Sequence, residues 1–172
     1  MQSSAEASSV NIVALEEAAQ ATWKHFKAQP VIGRLLKKGY RTGVVVGVIR
    51  IQNPQLRMWV AGGEPNPKKK LAYETFAGEK LTRLADHPKH HGSSATRDVG
   101  KERYSGAVRG NALLVSTSGL WPDDLDELFS AVFLVEIGDL TREEALALLA
   151  KLENKQRRLF GSFGFKDSTV SA

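Results

Sequence analysis

Residues 43–50, GVVVGVIR, constrain this chain more than any other segment. The run is apolar and β-branched, and it is too short to persist as an isolated helix, so it predicts a strand. QNPQ then supplies turn residues and LRMWVAGG alternates in polarity, which makes a hairpin the natural outcome. Gly43 and Gly47 bracket three valines. Glycine inside a strand marks a close approach by something lying across it, most economically a helix. Helix formers dominate the two ends of the chain, so helices are expected to flank a central sheet.

Periodicity places those helices. Ile12, Leu15, Ala19, Trp23 and Phe26 recur at helical spacing. Pro30 suits the first turn of a short second helix, PVIGRLLKKG, which Lys37 and Lys38 favour at its C-terminal end and Gly39 can terminate in a left-handed conformation. From Asn66 a third helix carries Tyr73, Phe76, Ala77 and Leu84 on one face, with Pro88 beyond its end. KHHGSSATRDVGKER has no period and predicts a long loop, of the kind that is functional or disordered. A second hairpin is expected from YSGAV through RGN to ALLVSTS. Leu125, Leu128, Phe129, Val132 and Phe133 then form a helical stripe closing near Gly138, and Thr141 with Glu144 forms a capping-box pattern before the last helix.

At 172 residues and 42% hydrophobic content the chain can bury one good core. The expectation is one α/β (α+β) domain over residues 10–160, with flexible tails at 1–9 and 161–172. No apolar run approaches the roughly 18 residues that span a bilayer, and MQSSAEASSV does not read as a secretory leader. A soluble, cytoplasmic protein is expected. The net charge of +5 favours anionic surfaces or ligands but falls short of a nucleic-acid footprint. With no cysteine, the chain has no disulfide, thiolate ligand or cysteine nucleophile.

Four features compete for a functional role. In the segment after the second hairpin, GNALLVSTSGLWPDDLDELF, Gly119 permits a turn that few residues tolerate, while Pro122, Asp123 and Asp124 suit a helix N-terminus. That corner is consistent without a ligand; its functional version has Ser118 and the amides around Gly119 lining a small-molecule pocket. Lys80 shares the apolar face of Tyr73 and Phe76, where it must snorkel to water or find an anion, either beside Arg83 or as a ligand carboxylate. His87, His90 and His91 crowd DHPKHH, a spacing open to a transition metal or an axial haem bond, although adjacent histidines in a polar loop are ordinarily solvated and no metal site is assigned. Lys68–Lys70 and the group Arg34, Lys37, Lys38 and Arg41 can touch phosphates or simply solvate helix ends. The common nucleotide, zinc-protease and hydrolase signatures are absent.

The order helix, hairpin, helix, loop, hairpin, helix resembles a GlcG/HbpS-like domain. VVVGVIRIQNPQLRMWVAGG is similar to the family's first hairpin, FAGEKLTRLADHP to the helix on which it tends to carry a lysine (here Lys80), and ALLVSTSGLWPDDLDEL to its strand, Ser-Gly turn and acidic helix start. Two departures stand out: QNPQ replaces the usual Asp and Gly of the first turn, which bears on its geometry, and one residue is inserted between Ser118 and the acids, which weakens the transfer of any pocket role to Asp124, Asp126 or Glu127. The resemblance implies a profilin-like antiparallel sheet of four to five strands with helices packed on it, haem binding or degradation, and homo-oligomers. The expected function is a non-enzymatic binding module for haem or another small anionic, partly hydrophobic ligand, with Lys80, Arg83, Ser118 and Gly119 as binding residues. The alternative is a protein-interaction or nucleic-acid-binding adaptor using the basic helix ends. An enzyme working from the loop histidines and Ser118 would need those groups close together.

Overall fold

Strand β1 (Gly43–Arg50) forms from the β-branched run and pairs antiparallel with β2 (Leu56–Gly62), from Gly43 opposite Gly62 to Ile49 opposite Leu56. These elements belong to a computed structural model that describes residues 12–165. The second hairpin joins β3 (Ala107–Arg109) to β4 (Leu113–Ser118), and β4 also pairs antiparallel with β1, from Val45 opposite Ser118 to Arg50 opposite Leu113. The two ribbons therefore merge into one four-stranded antiparallel sheet in the order β2-β1-β4-β3, the α+β arrangement expected.

Alternation along the strands divides the side chains between two helical layers. Val44, Val46, Val48, Val108, Leu113 and Val115 point into the main core, shared with α1 (Ile12–Ala28) and α4 (Asp124–Glu136). On the other face Ile49, Ala107 and Leu114 meet Leu81 and Leu84 of α3 (Pro67–Ala85). A Cβ at Gly47 would lie 2.9 Å from Leu81 Cδ1, so this glycine does admit a helix across the strand. Gly43 differs: its Cβ would meet the Ala61 carbonyl oxygen at 2.7 Å, so the pressure there comes from the neighbouring strand.

α1 buries Leu15, Ala19, Trp23 and Phe26 as their spacing predicted, while the Ile12 side chain lies outside those described. Gln20, also on α1, donates to Val60 O (2.8 Å) and accepts from Gly62 N–H (3.0 Å) along the outer edge of β2. α2 (Pro30–Lys38) ends differently from expectation: Gly39 has φ −87°, and the left-handed residue is Tyr40 at φ 51°. Tyr40 N–H then bonds Lys37 O and Arg41 N–H bonds Leu36 O, satisfying two terminal carbonyls and fixing the direction in which Arg41 leaves the helix. α4 is buried continuously from Leu125 to Leu134, as befits a helix enclosed by the sheet and other helices of its own chain. α5 (Arg142–Lys151) starts with the expected capping box between Thr141 and Glu144.

Two segments carry more order than their composition suggested. The loop after α3 contains short 3₁₀ turns at Ser93–Thr96 and Val99–Lys101. At the C-terminal end a 3₁₀ turn spans Arg157–Ser162, and Phe163, only 3% exposed, stacks on Phe26 with ring centroids 5.6 Å apart. Packed chain thus continues past Gly161, where a flexible tail was expected to begin. Residues 166–172 of that tail, and the tail expected at 1–9, lie outside the described residues. Among the described residues no helix is long and apolar enough to cross a membrane.

Candidate functional site

β3 is short, and the chain before it leaves a gap through which Lys80 crosses from the α3 face of the sheet to α4. Gly106 makes the passage: at φ 138°, its Cβ would lie 2.7 Å from Lys80 Nζ and 2.7 Å from Thr117 O. The ammonium donates to Thr117 O (2.8 Å) and to Asp126 Oδ2 (3.0 Å). Lys80 is only 1% exposed, so it does not snorkel; it takes the other course considered for it and finds an anion, within its own chain. Asp126 Oδ1 accepts from Leu120 N–H (2.9 Å), which ties the Ser118–Gly119 corner to the same carboxylate. Burial pushes Asp126 up to about 6, against the pull of the Lys80 ammonium and the Leu120 N–H.

Above this pair lies a cavity of about 160 Å³. Lys80, Ser118 and Gly119 all line it, so residues 80 and 118 do meet in space. Gly119, at φ 131°, lets the corner pack against Tyr73; a Cβ there would stand 3.3 Å from that ring. Phe76 and Tyr104, whose rings meet edge to face at 5.2 Å, form an apolar wall, and Trp121, 57% exposed, lies at the mouth.

Charge in the cavity wall is unevenly matched. Asp126 is neutralised by Lys80. Asp123 accepts Arg97 through Nε (2.7 Å) and Nη2 (3.1 Å), together with the N–H and hydroxyl of Ser105 (both 2.9 Å). Burial alone would raise Asp123, but these bonds outweigh it and hold the carboxyl below the usual range. Arg41 remains. Its Nη1 donates to the Tyr73 hydroxyl, and its buried Nε has no hydrogen-bond partner among the described residues. A buried donor left unsatisfied costs about 1–3 kcal/mol, more when charged.

Arg83 does not share this cavity. All its N–H groups turn to the loop after α3 and to its own helix: Nη1 donates to Ser93 O (2.6 Å), Nη2 to Tyr104 O (2.6 Å), and Nε to Glu79 (2.7 Å). It orders the loop, which explains why a stretch without periodicity is well formed. The histidines lie elsewhere as well. His87 and His90 stack at 4.8 Å, His87 Nδ1 bonds Arg83 O, and His91 Nε2 accepts from Lys151 Nζ (3.0 Å). Among the described residues no histidine lines the cavity and no cluster of three or more candidate ligands could hold a metal. Sequence reasoning placed Arg41 in a basic surface group and gave Tyr104 and Trp121 no role. The signal for Arg41 was weak, because it is the left-handed Tyr40 that turns it inward.

No family model matches the chain, and neither a curated protein nor a solved structure matches it.

Proposed function

We propose that this chain is a non-enzymatic binding module for a small, partly hydrophobic carboxylate, seated in the cavity between α3, the loop that follows it and the Ser118–Gly119 corner. The observation that carries the proposal is Arg41, whose guanidinium lines the cavity beside a wall of rings and has no carboxylate partner among the described residues. A carboxylate there would form charge-assisted bonds, roughly twice as strong as neutral ones. Asp123 and Asp126 are already paired with Arg97 and Lys80, so Arg41 is the cavity cation that a ligand carboxylate would meet. The GlcG/HbpS-like resemblance supports the same reading, since its three segments supply β1, α3 and the Ser118–Gly119 corner. The homo-oligomers that resemblance implies, and a cytoplasmic location, belong to the same proposal.

Haem fits this cavity poorly. Sites that enclose drug-sized ligands measure about 300 Å³ or more, against about 160 Å³ here, and no histidine among the described residues stands in the wall as an axial donor. The smaller carboxylate is therefore the favoured ligand. Isothermal titration with small monocarboxylates and their neutral amides tests the proposal: at least one acid should saturate at one per chain, bind at least tenfold tighter than its amide, and lose affinity in Arg41→Met. Equal affinity for acid and amide would overturn it.

One observation favours a second reading. A neighbouring cavity of about 190 Å³ is lined by Tyr40 and Arg41 from the end of α2 and by Asn66 and Lys69 from the start of α3, so two basic helix ends converge. An adaptor for phosphate-bearing partners would use that surface, and its affinity would fall steeply with salt.

A further inference from the structure

We infer that the ligand of this cavity is an aromatic carboxylate, a flat ring bearing one acid group, with the acid on Arg41 and the ring against the aromatic wall. The inference rests on the binding proposal above and adds to it the chemical class of the ligand. Four aromatic side chains, Tyr73, Phe76, Tyr104 and Trp121, come to one cavity from α3, from the loop and from the corner before α4. Residues so far apart in the chain do not share a surface through local periodicity; the fold collects them.

Their arrangement suits a ring more than an aliphatic chain. Phe76 and Tyr104 pair edge to face at 84° and both line the cavity, and a third ring can join such a pair by stacking or edge to face. Tyr73 is held by Arg41 through its hydroxyl, which places the cation at the border of the aromatic wall. Gly119 lets the backbone of the corner pack directly against the Tyr73 ring. Trp121 lines the same cavity and keeps 57% of its surface exposed, within reach of a ligand entering from solvent. The two cavity carboxylates are spoken for, so the guanidinium is the group that selects charge. Geometrically favourable ring pairs add about tenfold in affinity beyond the area they bury.

The test uses the full chain and three probes of similar size: benzoate, its saturated counterpart cyclohexanecarboxylate, and the neutral benzamide. Titration calorimetry gives affinities, and tryptophan fluorescence reports on Trp121, with Trp121→Phe identifying its share of the signal. Benzoate should bind about tenfold tighter than either other probe and should perturb Trp121 emission. Arg41→Lys should weaken benzoate about tenfold while circular dichroism and the melting curve stay unchanged. Trp121→Ala, its fold checked by circular dichroism, should narrow the preference for benzoate over cyclohexanecarboxylate. If the two acids bind equally and both exceed benzamide, the aromatic class is overturned while the carboxylate site stands. If benzamide matches benzoate, or if no probe saturates, both fall.

Discussion

Glu127 offers the sharpest test of the energetics. It is fully buried on α4, where Asn154 Nδ2 donates to Oε1 (2.8 Å). Burial is the main cause that raises its pKa from 4.5 to about 7, opposed by Asn154 and Ser94 and reinforced by Asp124 and Asp123. A carboxyl whose folded pKa lies above its unfolded value makes the fold bind protons more tightly. Its contribution to stability is complete below about pH 4.5 and is lost as pH rises through about 7. A tenfold change in proton affinity corresponds to about 1.4 kcal/mol, so between pH 5 and pH 8 the wild-type protein should lose about 2–3 kcal/mol through this residue. Glu127→Gln keeps the shape and the acceptor for Asn154 but cannot ionise. The assay is urea denaturation of both proteins at pH 5 and pH 8. Other titrating groups act in both chains, so the difference between the two pH dependences isolates Glu127. The variant should be the more stable of the two at pH 8, and its loss of stability on going from pH 5 to pH 8 should be smaller by about 2–3 kcal/mol. Parallel pH profiles would refute the reasoning.

Three further outcomes follow from the packing. Gly106→Ala sets a Cβ 2.7 Å from both Lys80 Nζ and Thr117 O at φ 138°, and should cost about 3 kcal/mol or more by denaturant titration. Lys80→Met removes one half of a buried ion pair and should destabilise by about 3 kcal/mol, with part of the loss recovered when Asp126→Asn is added; a neutral single variant would contradict the pairing. Thr141→Ala deletes the capping box of α5 and should lower stability by about 1 kcal/mol in thermal melts.

Local chemistry was legible in the chain. The β1 run, the α1 stripe, the capping box and Gly47 each state their role within a few residues, because β-branching, helical spacing and the lack of a side chain act locally. Lys80 was legible as an anomaly, a cation on an apolar face. Its partner was not: Asp126 lies on a helix across the sheet, reached only because Gly106 leaves room at a strand end. Arg83 shows the same limit from the other side. It was assigned to a ligand because it neighbours Lys80 on a helix, yet it spends its N–H groups on carbonyls of a loop whose path nothing local dictates. Phe163 sits among Gly and Ser, which read as a loose tail; one ring finding Phe26 was enough to bind that segment to the core.

Gln20 on α1 bears on how copies of this protein can meet. By occupying Val60 O and Gly62 N–H it plugs part of the β2 rim, and at the opposite rim His91 O takes the Arg109 N–H beside the bridge between Gly92 and Val108. A stranger strand seeking to extend the ladder finds those positions already taken. Growth by edge-to-edge accretion is thereby discouraged at both rims of the sheet.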